Sequence, residues 1–181
     1  MANIKITGTR ICNKTYYCHV TNDMLNNKER LLKMNQEIIK RASELIDSMT
    51  EYKLGGMEGY AALSLIDENG YPSATTFCIT KADGINWLTF NTATDRPYAE
   101  RIGKNNKACV CINSSAYTIN LVGVVETCTD METKKENWLP IMDGMTHWSG
   151  VDDPTLLILR FTTKRYTITF ADDGSYATGN L

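Results

Sequence analysis

The chain has 181 residues, of which 43% are hydrophobic and 22% are charged, a composition that is ordinary for one globular domain. Its formal net charge of -2 gives no electrostatic signature of binding to nucleic acid or to an anionic membrane surface. No apolar run approaches the roughly 20 residues that span a bilayer, and the N-terminus lacks the pattern of a secretory signal. We therefore expect a cytoplasmic protein that binds neither nucleic acid nor membrane.

The six cysteines favour a reducing compartment over a disulfide framework. A chain of this length can build a hydrophobic core without cross-links. We predict reduced thiols that behave as small buried hydrophobes at the four positions in apolar, strand-like runs: Cys78, Cys109, Cys111 and Cys128. Cys12, Cys18 and His19 lack a fourth ligand at a spacing typical of zinc, so no metal site is predicted.

Residues 1–25 show no clear pattern, and we treat them as an N-terminal extension of unknown role. Segments 4–7 and 15–20 suit either two short strands or an arm that lies on a partner subunit. Residues 26–181 are predicted to form a single domain.

A long helix is predicted over residues 27–49 as the first element of this domain. Apolar residues recur there at helical spacing along one wide face, which we expect to pack against the core. Asn26 is the predicted N-cap, and Glu29 lies three residues on, as in a capping box.

From Gly59 onward the pattern is that of β-structure, with apolar runs separated by turn residues. Asn69-Gly70 predicts a hairpin turn, and Gly123 predicts a bulge or a close backbone approach. The tail from Asp172 is predicted to be loose. Seven segments have strand-like patterns, and we predict that they form about six antiparallel strands in a meander: 60–66, 72–80, 85–91, 108–112, 117–128, 155–162 and 165–170.

The predicted fold class is mainly β (α+β), because strands dominate and the alternation of a parallel βαβ fold is absent. A small closed or partly open barrel fits this meander, since closure removes free strand edges. Short helices are inserted, one over residues 131–139 that Pro140 interrupts, with Trp138 on its apolar side. A loop over residues 144–154 follows.

The segment over residues 87–102 runs from a strand into a second short helix. Thr94 and Asp95 are predicted to cap this helix, and Pro97 suits its first turn. Hydroxyl groups, free N–H groups and Arg96 at a helix start are the parts of an anion site. An ordinary capped surface helix is the alternative.

Several short motifs, in this order and spacing, resemble the pyridoxamine 5′-phosphate oxidase-like FMN-binding split-barrel superfamily. The general stress protein branch is the most similar. The matching segments are 70–75, 87–102, 105–108, 121–126 and 152–154, followed by a strand with Arg160. The resemblance implies a six-stranded antiparallel split barrel behind the long helix, and a homodimer with FMN at the subunit interface.

The resemblance also implies where the FMN phosphate binds. The family's phosphate-contacting arginine falls on Thr75, and its Ser and Lys positions fall on Arg96 and Tyr98. Two usual basic contacts are therefore absent, and we expect Arg96 to restore the clamp because guanidinium binds phosphate bidentately. The implied cofactor-binding residues are Thr75, Thr76, Phe77, Asn91, Thr92, Thr94, Arg96, Pro97, Tyr98 and Trp138.

The predicted function is that of an FMN-binding oxidoreductase-like protein. It would pass electrons between a reduced nicotinamide, or a similar donor, and a small acceptor. The alternative is a split-barrel binding or stress-response module with weak or no flavin binding. No catalytic residues are assigned, although His147 and Trp148 suit either a substrate pocket or an ordinary loop. True pyridoxamine phosphate oxidase activity is not expected, because the family's Arg-x-His type of C-terminal segment is missing.

Overall fold

The computed structural model describes residues 22–50, 59–144 and 147–181, with side chains from Glu29 onward. These residues form three helices, one 3-10 turn and eight strands. They are α1 (Asn22–Met49), β1 (Tyr60–Ile66), β2 (Pro72–Cys78), β3 (Lys81–Asp83), β4 (Trp87–Ala93), α2 (Tyr98–Lys104), β5 (Lys107–Asn113), β6 (Tyr117–Cys128), α3 (Met131–Asn137), the 3-10 turn (Pro140–Gly144), β7 (Leu156–Phe170) and β8 (Tyr176–Asn180).

The strands form one antiparallel sheet in the order β2-β1-β5-β6-β7-β4-β3, with β8 added beside β7. Strands β2 and β4 are not neighbours in this ladder, but the rings of Phe77 and Phe90 meet across the gap, 5.7 Å between centroids. The sheet therefore curls into a split barrel. The predicted α+β fold class is confirmed, with eight strands instead of about six.

Strand β7 is the longest strand, and it changes its partner halfway. Its first half pairs with β4 and its second half with β8, while β6 runs along the other side. The prediction of two strands with a break near Lys164 and Arg165 is wrong. The predicted loose tail is also wrong, because β8 completes the ladder and buries Ala177.

Two glycines confirm features that the sequence predicted, a hairpin turn at Gly70 and a bulge at Gly123. Gly70 has a φ of 84°, as a tight hairpin turn requires. At Gly123 the register between β6 and β7 shifts, and an added Cβ would lie 2.0 Å from the carbonyl oxygen of Thr162. The bulge therefore excludes any side chain at this position.

Helix α1 packs its apolar face against the sheet, as the helical spacing predicted. Ile38, Ala42 and Ile46 are at most 5% exposed. The guanidinium of Arg41 lies 3.7 Å from the ring centroid of Phe170, so a cation–π contact supports the packing.

The beginning of α1 differs from the prediction. The helix starts at Asn22, so Asn26 lies inside it and is not the N-cap. Leu31, Leu32 and Met34 are between 45% and 56% exposed, so among the side chains described from Glu29 onward the buried face begins at Ile38. No helix within the described ranges is long and apolar enough to cross a membrane.

All four described cysteines carry free thiols, as predicted, but each is half-buried instead of buried. Cys109 and Cys111 lie two residues apart on β5, so both point to the same face. That face is opposite the one that carries the buried Val110. Cys12, Cys18 and His19 lie outside the described residues.

Candidate functional site

The segment between β4 and α2 is a turn, and this changes the predicted anion site. The N-cap of α2 is Pro97, without a side-chain cap, so the prediction that Thr94 and Asp95 cap the helix is wrong. The N–H of Thr94 donates to the Thr155 carbonyl and that of Arg96 to the Ala93 carbonyl. Because these groups are paired, they do not form a free helix start.

The predicted end of this helix is wrong as well. Ile102 and Gly103 lie inside α2, which continues to Lys104 and has Asn105 as its C-cap. The helix has only seven residues, and Ile102 is 8% exposed, so the buried side of this short helix holds it against the barrel.

Four polar residues meet where α2 lies against β2. The hydroxyl of Tyr98 lies 3.3 Å from Thr75 Oγ1, and Nη1 of Arg101 lies 3.4 Å from Ser73 Oγ. Tyr98 and Arg101 are three residues apart on one helix face, and Ser73 and Thr75 alternate onto one strand face. We call Ser73, Thr75, Tyr98 and Arg101 the hydroxyl–arginine cluster.

The cation of this cluster is incompletely paired. The Arg101 side chain is 20% exposed, and its Nη2 lies 3.4 Å from a carboxylate oxygen of Glu68, which is 60% exposed. Its Nε is buried and has no acceptor among the described residues. A buried donor without a partner costs about 1–3 kcal/mol, so this side chain has unused binding capacity.

Aromatic rings pack against the Tyr98 side chain of the cluster. Phe77 packs edge-on against Tyr98, 5.3 Å between centroids, and also contacts Phe90 of β4. Such pairs add about 0.5–1.5 kcal/mol beyond area burial. The rings therefore bridge the gap between β2 and β4 and hold the Tyr98 hydroxyl toward β2.

Among the predicted cofactor residues that do not join this cluster, Thr76, Thr94 and Arg96 are exposed. Thr76 is exposed and pairs with Ala62 on the sheet face opposite Thr75. Thr94 is exposed on the turn. Arg96 is 56% exposed and pairs with its neighbour Asp95, 3.6 Å from Nε to the carboxylate.

Asn91 lies on the outer face of β4. Thr92, which is 7% exposed, lies two residues after Phe90 and therefore faces inward as Phe90 does. The Asn91 amide nitrogen lies 3.0 Å from both the Asn137 carbonyl and Met142 Sδ, and its Oδ1 has no donor among the described residues. Asn91 thus joins β4 to α3 and the turn after it.

Asn137 is the centre of this outer region. It is 2% exposed, and its Oδ1 accepts hydrogen bonds from the hydroxyls of Thr80 and Thr89. Its amide nitrogen donates to the Thr133 carbonyl. We call Thr80, Thr89, Asn91 and Asn137 the asparagine network.

Trp138 follows directly as the C-cap of α3. Its indole donates to Asp143, 2.7 Å away, and its ring packs against a small buried cluster of Met142, Leu156 and Ile158. The structure thus places Trp138 on the apolar side of its element, as predicted, and on the face opposite the hydroxyl–arginine cluster.

His147 and Trp148 contact each other edge-on, 4.8 Å between ring centroids. His147 is exposed, and Trp148 packs against the same small buried cluster as Trp138. Across residues 22–50, 59–144 and 147–181, no group of three or more His, Cys, Asp or Glu side chains is arranged to hold a metal ion.

The sequence prediction missed Ser73 and Arg101. It assigned the phosphate-binding cation to Arg96 at the expected helix start. The spacing of three residues between Tyr98 and Arg101, which puts both side chains on one helix face, was the pattern that could have identified Arg101. With α2 begun at Tyr98, that spacing puts both side chains over β2.

Solved structures share this fold at low sequence identity. A protein related to general stress protein 26, from Clostridium acetobutylicum, is 22% identical with a TM-score of 0.59, covering 84% of this chain and 96% of that one. General stress protein 26 from Bacillus anthracis is 16% identical with a TM-score of 0.57, covering 77% and 98%. A NimC/NimA family protein from Clostridium acetobutylicum is 21% identical with a TM-score of 0.56, covering 79% and 93%.

No curated protein matches the chain significantly. The family model described as pyridoxamine 5′-phosphate oxidase like does match, over residues 60–175, which is more than half of the chain. This chain therefore belongs to the pyridoxamine 5′-phosphate oxidase-like family.

Proposed function

We propose that the protein is a cytoplasmic, FMN-binding, oxidoreductase-like homodimer. One observation carries the proposal: two of the three positions at which the resemblance implies phosphate contacts, Thr75 and Tyr98, lie 3.3 Å apart in hydroxyl contact. The free thiols of the described cysteines suit a reducing compartment.

The donor set of the hydroxyl–arginine cluster fits a phosphate group. Three hydroxyls and a guanidinium supply hydrogen-bond donors, and Arg101 Nε has no acceptor among the described residues. A phosphate monoester offers acceptor oxygens with two negative charges, which charged donors bind about twice as strongly as neutral ones. Thr92, Thr94 and Pro97 precede Tyr98 on the same connection and stay in the proposed set, whereas Arg96 leaves it because its side chain is exposed and pairs with Asp95.

When bound, FMN supplies the electron-transfer chemistry through its flavin ring. The chain's own residues bind and orient it. The hydroxyls of Tyr98 and Thr75 donate hydrogen bonds to the phosphate, and the Phe77 ring keeps Tyr98 in place. The half-buried position of the cluster limits competition from water for these hydrogen bonds. We propose a reduced nicotinamide, or a similar donor, and a small acceptor as the substrates.

The proposed dimer uses the outer face of β1, β5 and β6. Six of its half-buried side chains are small or β-branched, and they belong to neither of the two buried clusters. A flat surface of this kind suits a second copy of the same surface, as a two-fold interface requires. The side chains in question are Ala62, Ser64, Cys109, Cys111, Val122 and Val124.

A charge in this face tests the dimer. We expect sedimentation equilibrium to show a dimer for the natural chain and a monomer for Ala62→Glu, because the cross-strand neighbours of Ala62, which are Thr76 and Cys111, carry no basic group and burying an unpaired carboxylate is costly. Glu136→Lys on the exposed side of α3 serves as the control. A natural chain that sediments as a monomer contradicts the proposed dimer.

The visible absorbance spectrum tests cofactor binding. Purified protein is mixed with excess FMN, and the unbound fraction is removed by gel filtration. We expect retained flavin bands at close to one FMN per protomer. A folded protein that retains no flavin contradicts the proposal.

A binding module with weak or no flavin binding is the second candidate. The observation in its favour is that neither of the usual basic positions carries a cation, since they are occupied by Thr75 and Tyr98, and that the Tyr98 ring is engaged in packing against Phe77. The same gel-filtration experiment separates the two candidates, because this module would elute without flavin.

A further inference from the structure

We propose that Arg101 binds the phosphate of FMN in this chain. It takes the place of the two basic residues that are absent at Thr75 and Tyr98. This inference rests on the proposed FMN site and names the residue that supplies its positive charge.

The position of Arg101 is the first reason. Its guanidinium reaches back from the middle of α2 to β2, where Nη1 lies 3.4 Å from Ser73 Oγ. Thr75 is two residues further on the same strand face and contacts Tyr98. The cation thus lies at the strand that would carry the missing arginine, although it comes from the neighbouring helix.

The unused donors are the second reason. A guanidinium has five N–H donors, and Arg101 makes two described side-chain contacts, both at 3.4 Å. Its Nε has no acceptor within the described residues. Nε and a neighbouring Nη together form an edge that binds two phosphate oxygens.

Glu68 does not prevent this binding. It is 60% exposed and lies 3.4 Å from Arg101, and an ion pair with such an exposed partner contributes little to stability. A phosphate dianion brings more charge and more acceptor oxygens than one carboxylate. Glu68 holds the guanidinium near β2 and releases it when phosphate binds.

Arg96 provides the internal comparison. It was expected from the sequence to bind the phosphate, but it is 56% exposed and its described ion pair is with the adjacent Asp95. No hydroxyl among the described residues forms a described hydrogen bond with its side chain. The two arginines therefore differ in burial and in the partners around them.

The test compares FMN with riboflavin, which lacks the phosphate. Dissociation constants are measured by flavin fluorescence quenching on flavin-free natural protein and on Arg101→Ala, Arg101→Lys and Arg96→Ala. For Arg101→Ala we expect FMN binding to weaken about 10- to 100-fold, with riboflavin binding unchanged. Arg101→Lys should recover part of the loss, and Arg96→Ala should bind FMN as the natural chain does.

Each other outcome overturns the inference in a distinguishable way. If Arg101→Ala binds FMN as tightly as the natural chain, the inference fails while the FMN site stands. If the natural chain binds neither flavin, the proposed function fails and the inference fails with it. Circular dichroism checks that each variant is folded. If Arg101→Ala does not fold, Arg101→Lys takes its place in the test. Full FMN affinity in Arg101→Lys would argue against bidentate binding by the guanidinium.

Discussion

The hydroxyl–arginine cluster and the asparagine network lie on opposite faces of one split barrel, and they differ in how their polar groups are hydrogen-bonded. In the network, Thr80 and Thr89 both donate to a single buried acceptor, Asn137 Oδ1. In the cluster, the contacts of Arg101 are long, and its Nε has no acceptor among the described residues.

This difference distinguishes polar groups that stabilise the fold from polar groups that are available to bind a ligand. A buried network is stable only when its members pair with one another, because each unpaired group costs its desolvation. A ligand site needs donors that the protein itself leaves incompletely paired. Residues from both regions were predicted from the sequence as cofactor contacts. Each region has one buried group without a partner among the described residues, but in the cluster it is a cationic donor, Arg101 Nε, and in the network a neutral acceptor, Asn91 Oδ1. Only the cationic donor suits a phosphate.

The largest expected effect comes from removing the centre of the network. Asn137→Ala leaves the buried hydroxyls of Thr80 and Thr89 without their shared acceptor, so we expect the free energy of unfolding to fall by about 2–4 kcal/mol. Urea denaturation measures it, with Glu136→Ala as the exposed control on the same helix. A loss below about 1 kcal/mol would place the network among the dispensable contacts.

A smaller effect is expected in the cluster. Tyr98→Phe removes the hydroxyl that contacts Thr75 and keeps the ring against Phe77, so stability should change by less than about 1 kcal/mol, while FMN binding weakens by about 0.5–1.5 kcal/mol. Fluorescence titration and urea denaturation on the same samples check both. The exposed Tyr71→Phe is the control. Reversed results, with stability lost and binding kept, would make the cluster a structural feature.

The smallest effect concerns the loop before β7, which borders the outer region because Lys134 Nζ donates to the Asp153 carbonyl. Hydrogen bonds from the backbone and hydroxyl groups of Ser149 and Thr155 lower the pKa of the Asp153 carboxyl below its usual range. A lowered pKa stabilises the fold above the unfolded value of about 3.9, and this stabilisation disappears as the pH falls.

The difference in unfolding free energy between the natural chain and Asp153→Asn should therefore be constant from about pH 7 to 5 and shrink below about pH 4. Urea denaturation across this range measures it. A difference that does not vary with pH would show that the carboxylate charge contributes nothing.

Much of the fold was predictable because it depends on local patterns. The bounds of β1 and β6 match their predicted segments, and the family resemblance is confirmed by the match over residues 60–175. Strand β8 was missed because its sequence, YATGN, carries little apolar alternation. Only pairing with β7 makes this segment a strand, and pairing between distant segments is not visible in local periodicity.

The site was less predictable for the same reason. Thr75, Phe77 and Tyr98 were predicted and do meet, since strand alternation and the family motif both placed them. Arg96 and Arg101 are both arginines near one short helix, and the start of that helix decides which one faces β2. Thr94 and Asp95 favour an earlier start as caps, but the N–H of Thr94 pairs with the Thr155 carbonyl, a contact made across the sheet.

The split in the barrel has a consequence for solubility. Among the described strands, β2 and β3 lie at the two ends of the ladder and each pairs with one neighbour, and unpaired edges are templates for aggregation. Strand β2 begins with Pro72, which has no N–H to donate, and β3 has three residues with exposed charges at Lys81 and Asp83. Short, charged and proline-bearing edges of this kind discourage edge-to-edge association, so the barrel can stay open along one seam without forming fibrils.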